Sequence, residues 1–495
     1  MKRRGFLRAA LSSAAAVAAY NPVQRVWASQ CEEGSIEIPD LDGQLVLAGA
    51  LLQEAADDFG HIISEAPVAV LIPGSVDDIC KLVDFARANC IKIGGMSMIG
   101  NTHSTYGQSQ VGGGVVIDMS SLAVIHEVNA DNALVDAGVR WSELLEETVP
   151  LGKSPPTLTD YVDLSIGGTI SVGGVGGQVS RYGMQVDNVV ELEVVTGRGK
   201  LVTCSPTKRR RLFNAVRSGL GQFGIIVRAR VRLIDVPSMA RRYSVFYSEL
   251  ADMMSDQETV IEDERFDYVE GFAERDPVTF DWRYRIELVK YFAPGQEPDD
   301  DALLGDLIFD KTKFGISVGA PPQLQYVDFK QDTDIFAFFN RLAFLPFTPL
   351  WTLPHPWIDT FVPGEEAESF IRDSVLESND LAPNGPFDVI LIYPFKRAKV
   401  TAPFMALPDS ERCYLFSLLR SVVPPDTTAQ LVAENRAIYE QLRELGGKRY
   451  AISSVPFDQD DWKDHFGDEW FKFVLRKLRF DPDNVLTPGQ NIFSW

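Results

Sequence analysis

DYVDLSIGGTISVGGVGGQVSRYG, Asp160 to Gly183, carries three glycine pairs: Gly167-Gly168, Gly173-Gly174 and Gly176-Gly177. Ile166, Thr169, Ile170, Val172, Val175 and Val179 are threaded between and around them. A flexible linker is Ser/Gly-rich and poor in such β-branched residues. Strand formers mixed with residues that lack a Cβ suit a backbone that passes close to a flat or phosphorylated ligand. Two nucleotide-binding templates fail here. A P-loop needs a Lys after its glycines, and none follows. A GxGxxG fingerprint finds its first half in Gly174 and Gly176 but meets Val179 at the third position. The run is therefore a ligand wall of another kind. Asp160 is the acid nearest it, either as a chemical group or as a cap.

The rest of the chain sets bounds. It has 495 residues and a net charge of −22. That length suits one large two-part fold or two to three domains. A hydrophobic content of 45% supplies a full core. The acidic balance argues against nucleic acid or an anionic membrane as a partner. The basic stretch Lys208–Arg211 reads as an exposed helix face. Lys2, Arg3 and Arg4 precede Gly5-Phe6-Leu7 and an Ala-rich apolar run. This has the look of a twin-arginine signal over residues 1–28, and so of a chain exported in folded form to the periplasm or cell exterior. No later stretch is long and apolar enough to predict a membrane span. The five cysteines and five histidines show no metal-ligand spacing, so no metal is expected. The odd cysteine count, with no regular spacing, predicts no disulfide framework.

Short apolar strands are expected at Val68–Ile72, from Lys92, at Gly114–Met119, Ala133–Gly138 and Val189–Thr196. Helices are expected after Ser75, where Ser75 to Asp78 fits a capping box, and over Trp141–Thr148 and Thr428–Leu445. Val227, Ala229, Val231 and Leu233 alternate with Arg228, Arg230 and Arg232, which predicts a strand with one apolar and one basic face. From about residue 238 aromatic content rises and glycine falls. Strands mixed with helices on both sides of that point predict two α+β parts.

Several motifs, in order, resemble those of FAD-dependent enzymes of the vanillyl-alcohol-oxidase type, and most of all the cytokinin dehydrogenase family. His103-Ser104 with Gly107-Gln108 is similar to GHSxxGQ, and Thr159-Asp160-Tyr161 with Gly167-Gly168-Thr169 to TDYLxLTVGGTLS. Gly177-Gln178, Arg181 and Gly183 follow as in GQxxRxG. Gly221–Ile226 resembles GQFGVIT, Phe266–Gly271 resembles FDYVEG, His355-Pro356-Trp357 resembles HPW, and Pro488–Phe493 resembles PGQxIF.

The resemblance implies an α+β fold. A two-part PCMH-type FAD-binding domain would span 30–237, and an α+β substrate domain with an antiparallel sheet 238–449. Residues 450–495 would return to the first domain. It implies FAD, carried covalently by His103. The FAD contacts would be Gly100, Asn101, Thr102, His103, Ser104, Gln108, Asp160, Ser165, Gly168, Ser171, Val175, Ile226, Tyr450, Thr487 and Gln490, with the amides of Gly167–Gly177 facing the pyrophosphate. Asp160 would be the catalytic base and Glu270 its acidic partner, with Trp357 and Asp359 on the substrate side. The partners implied are a small amine and an electron acceptor, oxygen or quinone. The chain departs from the family pattern at three places. Thr102 stands where a Gly precedes the His, Asp359 stands where the family has Asn, and Arg341–Pro349 replaces an acidic segment. An alcohol, sugar or lactone oxidase of the same fold, or a flavin-binding protein without turnover, also fits these residues.

Overall fold

A computed structural model describes residues 26–28, 35–96, 102–276, 279, 281–310, 330–376, 389–423 and 426–493. Residues 1–25 of the expected targeting segment 1–28, and Gly100 and Asn101, lie outside these.

Among the described residues, three sheets of four or more strands stand beside two short two-stranded ones. The first has the order β1-β2-β4-β3, from β1 (Gln44–Val46), β2 (Ala69–Ile72), β3 (Ile93–Met96) and β4 (Val115–Asp118). Strand β4 runs parallel to β2 and β3. Parallel neighbours need a crossover, and α1 (Val76–Ala88) supplies it, burying Ile79, Leu82, Val83 and Ala86. The expected capping box is not made. Ser75 is the N-cap, but its side chain makes no cap hydrogen bond. It donates to Asp42 instead. The Asp78 carboxylate accepts the amides of Asp42, Gly43 and Gly74, each at 2.8 Å, so the start of the helix is tied to the segment before β1. One disulfide forms, against the expectation: Cys90, just past α1, is disulfide-bonded, while Cys80, Cys204 and Cys413 are free.

The second sheet is antiparallel, in the order β8-β7-β9-β6-β5. Its strands are β5 (Ile125–Val128), β6 (Asn132–Asp136), β7 (Val189–Val195), β8 (Leu201–Cys204) and β9 (Ile225–Arg232). β9 has the two faces its alternation predicts. Val227, Ala229 and Val231 are buried, while Arg228 bridges Asp136 and Glu193 and Arg230 bridges Glu127. α2 (Trp141–Thr148) precedes the glycine run. That run is not extended. Ile166–Val172 forms a helix, α3, in spite of its glycines and β-branched residues. Burial overrides propensity here: Ile166 and Ile170, one turn apart, are both fully buried, and the Trp141 indole donates to the Thr169 hydroxyl at 2.9 Å.

The third sheet has eight antiparallel strands in the order β13-β10-β12-β11-β15-β16-β14-β17. These are β10 (Met239–Tyr247), β11 (Tyr268–Arg275), β12 (Trp282–Phe292), β13 (Lys330–Asp334), β14 (Ile358–Pro363), β15 (Val389–Lys396), β16 (Arg412–Leu419) and β17 (Lys448–Arg449). The helices α4 (Leu250–Asp263) and α5 (Thr428–Glu444) pack against it.

After α6 (Gln459–Phe466) and α7 (Trp470–Phe480) the chain returns to the first sheet. The Ile93 amide donates to Val485 O, and the Thr487 amide to Ile93 O, both at 2.8 Å. A fully buried ion pair fixes this return. Lys477 Nζ lies 2.8 Å from Asp481 Oδ2 and donates to Gln222 Oε1 at 3.1 Å. Asp481 accepts the amides of Val485 and Leu486, and Gln222 donates to Thr487 O. Removing one partner of such a pair strands a buried charge. Lys477→Met is expected to cost about 3–5 kcal/mol in urea unfolding; a loss under about 1 kcal/mol would contradict this role.

Candidate active site

One cavity of about 1250 Å³ lies between the glycine run, the third sheet and the C-terminal return. That is larger than the roughly 300–1,000 Å³ of a typical small-ligand pocket. All the candidate site residues that are described line it. Thr102, His103, Ser104, Gln108, Ser165, Gly168, Ser171, Val175, Ile226, Tyr450, Thr487 and Gln490 belong to one part of the wall. Glu270, Trp357 and Asp359 come from the third sheet or beside it, and Asp160 lies in the loop before α3.

The sheet register builds the second part. Successive residues of a strand alternate faces, so cross-strand neighbours form rows on one face. One row runs Arg285, Phe272, Leu391, Ser417, Asp359 across five strands. The next runs Ser244, Glu287, Glu270. All eight side chains line the cavity.

Glu270 is 1% exposed. Burial, and then the neighbouring Asp160, push its carboxyl well above the ordinary range, so it keeps its proton at neutral pH. Asp160 Oδ1 accepts the Tyr268 hydroxyl and Arg341 Nη2, each at 2.7 Å. Arg341 also donates to the Tyr268 oxygen. Burial raises the Tyr268 hydroxyl far above its usual range, so it stays a donor. Burial opposes the charge of Arg341, but the groups around it, Tyr268, Asp160, Glu287 and Glu270, hold it protonated. Burial would also raise Glu287. Arg242, at 2.8 Å, with Arg341 and Arg285, outweighs this and holds Glu287 down at about 2. Two carboxyls thus lie side by side in different states, set by their surroundings.

His103 is stacked 3.9 Å from the Phe59 ring, on which His355 also stacks at 4.0 Å. Burial, with His355 nearby, pushes His103 down to about 3. The imidazole is therefore neutral at pH 7, and its buried Nε2 has no hydrogen-bond partner. Glu270 Oε1, Asp359 Oδ2 and Gln490 Oε1 are also buried and unpartnered on this wall. Burial lifts the Asp359 carboxyl to about 6, against a hydrogen bond from Ser417. A large apolar cavity with a few unpaired buried polar atoms fits a bulky ligand with polar edges, as FAD is.

One expectation is corrected. The glycine amides do not all face a ligand: Gly167, Gly173 and Gly174 donate to Ala137 O, Thr169 O and the Tyr450 hydroxyl. Several glycines serve packing. A Cβ at Gly177 would come within 2.6 Å of the Tyr268 ring, and one at Gly176 within 1.8 Å of Leu158 O. Gly168 is different, since its Cβ would meet only Ser165 Oγ. Gln108, too, is spent within the chain, its amide donating to Ile452 O and Ser453 O and its oxygen accepting from the Tyr106 amide.

Sequence reasoning missed Arg341, Glu287, Tyr268 and Asp58. Tyr268 had a signal, because it stands two residues before Glu270 on a strand and so shares its face. Arg341 and Asp58 had none, as both act across long stretches of chain. Asp58 fastens the His103 loop. Its Oδ2 accepts the Ser104 hydroxyl and the Gly107 amide, each at 2.8 Å, and Oδ1 accepts the Gly60 amide at 3.1 Å. Burial raises it to about 7, with a smaller push from Asp57 and against those three donors. Asp57 is itself 2.7 Å from His61. A folded-state pKa above the unfolded value means that stability is full below the unfolded pKa of about 4 and is lost as pH rises toward the folded one. Wild type should therefore lose stability relative to Asp58→Asn between pH values of about 4 and about 7, then run parallel above that. Thermal melts across pH check this, and parallel curves throughout would contradict it.

Comparison with known proteins identifies the family. Residues 283–493 match the family described as "Cytokinin dehydrogenase 1, FAD and cytokinin binding", and residues 67–205 match "FAD binding domain". The chain is 38% identical over 443 residues to "Uncharacterized oxidoreductase ORF5 in fasciation locus" of Rhodococcoides fascians, covering 88% of this chain and 96% of that protein. It is 35% identical over 474 residues to cytokinin dehydrogenase 3 of Oryza sativa subsp. japonica, covering 89% of each. It is 33% identical over 490 residues to cytokinin dehydrogenase 4 of Arabidopsis thaliana, covering 90% and 91%. Identity on this scale over nearly the whole length, with both parts matched, makes this chain an FAD-dependent oxidoreductase of the cytokinin dehydrogenase family.

Proposed function

We propose that the enzyme oxidises an amine at the carbon next to nitrogen, with an N6-substituted adenine as the substrate class and Asp160 as the base. The observation that carries this is the Asp160 carboxylate, aimed into the cavity, held by Arg341 and Tyr268, and set beside a Glu270 that keeps its proton. FAD, when bound, supplies the acceptor for a hydride. His103, Ser165, Gly168, Ser171, Tyr450, Thr487 and Gln490 would hold it, with His103 as the covalent attachment point.

Asp160 accepts a hydrogen bond from the substrate N–H, which orients the adjacent carbon. As that carbon loses its hydrogen with the bonding electron pair, positive charge grows on nitrogen. The carboxylate stabilises it and takes the N–H proton. A C=N bond remains, and water cleaves it to an amine and an aldehyde. Arg341 keeps Asp160 in place, and its charge balances the acids around it. Glu270, neutral, adds no second negative charge beside Asp160 and can donate a hydrogen bond to a substrate nitrogen. Trp357 offers a flat face for an aromatic ring.

Asp160→Asn should lower turnover of such amines by about 10²–10⁴-fold while the protein stays yellow. Wild-type rates in that variant, or oxidation of sugar alcohols with no activity on amines, would overturn the reading. On a denaturing gel, the wild-type band should fluoresce from bound flavin and the His103→Ala band should not. Fluorescence in both would remove His103 as the attachment residue.

A further inference from the structure

The helix α7 has two very different faces. Inward, Phe473 packs on Phe223, Phe404, Phe466 and Phe493, and Lys477 joins the buried network with Asp481 and Gln222. Those contacts complete its role in the fold. Outward, Phe471, Leu475 and Leu478 are 69%, 42% and 48% exposed. They stand at i, i+4 and i+7, so they form one stripe. The other exposed large apolar side chains among the described residues are scattered, and single ones are ordinary on a protein surface.

Cations flank the stripe. Lys472, Arg476 and Arg479 lie on α7 itself. The helix Arg210–Val216 packs against α7 and brings exposed Arg210 and Arg211, with Lys208 just before it. Arg211 and Arg479 are close enough to Arg476 to disfavour its charge, in addition to burial. Arg198 reaches the end of the helix, donating to Arg479 O at 3.2 Å. On α7, Lys472 lies 2.5 Å from Glu469, and Lys477 is buried against Asp481. In a chain of net charge −22 this is a local reversal of sign.

We propose that the outer face of α7 docks on an anionic lipid bilayer. An apolar stripe edged by Lys and Arg is the pattern of a helix that lies in a membrane interface. The apolar side chains enter the acyl boundary, and the long basic ones reach out to the headgroups. The overall charge argues against such a partner, but binding is set by the field within a Debye length of the contact, not by the net charge. A second copy of the chain fits less well, because a two-fold contact would set these cations against each other. The three apolar residues and the flanking arginines lie away from the cavity, so changing them leaves turnover intact.

The test uses the full chain with FAD bound. Wild type should sediment with vesicles of phosphatidylglycerol in phosphatidylcholine and not with phosphatidylcholine alone, and high salt should weaken it. Phe471→Ser/Leu475→Ser/Leu478→Ser and Arg476→Glu/Arg479→Glu should each reduce the bound fraction by about tenfold, with flavin absorbance and turnover unchanged. Failure to sediment with phosphatidylglycerol vesicles would overturn the proposal. Loss on charge reversal with the serine variant unaffected would also overturn it, pointing to an acidic protein surface instead. So would a wild-type dimer in light scattering that the serine variant splits.

Discussion

Arg341 carries a positive charge into the interior of the cavity, and the surrounding charges are arranged around it. Taking an isolated ion out of water costs several kcal/mol even after relaxation. Asp160, Tyr268 and Glu287 offset that cost, since the guanidinium donates to the first two and has Glu287 3.9 Å away. Glu287 in turn takes Arg242 and Arg285 as neighbours. Glu270 has no such cation to itself, and that is why it holds a proton where Glu287, its neighbour across the strands, does not. The difference between the two glutamates comes from which arginines each can reach.

The same network joins the two halves of the fold. Asp160 and the glycine run come from the FAD-binding part, and Tyr268, Glu270 and Arg341 from the part with the eight-stranded sheet. Gly177 lies against the Tyr268 ring and its carbonyl accepts the Val269 amide, so any side chain there would push β11 away from Asp160. Tyr450, near the start of the C-terminal return, accepts the Gly174 amide from the far side. Backbone proximity, which the glycines permit, is thus used first to close protein on protein. The cavity is what that closure leaves.

Much of this was legible in the sequence because it rests on local pattern. The alternation in β9 and the span of α2 follow from period and turn chemistry. The motifs around His103, Asp160, Glu270, Trp357 and Thr487 could be placed in order along the chain. Two kinds of feature were not legible. The glycine run reads by composition as a ligand wall of strand formers and glycines, but burying Ile166 and Ile170 on one side makes a helix of Ile166–Val172. Arg341 follows a short helix far along the chain, and only the fold shows that it turns back to meet Asp160, 181 residues away in sequence. The capping box at Ser75 failed for a similar reason, because the Ser75 hydroxyl donates to Asp42 in a neighbouring segment.

The central claim is that Glu270 remains a neutral acid beside the Asp160 carboxylate. Infrared difference spectroscopy reads it directly, at a pH above the ionisation of Asp58 and Asp359 near 7 and 6. A protonated-carboxyl C=O band should be present in wild type, persist in Asp160→Asn and vanish in Glu270→Gln. A band absent from wild type, or lost in Asp160→Asn and kept in Glu270→Gln, would contradict the account.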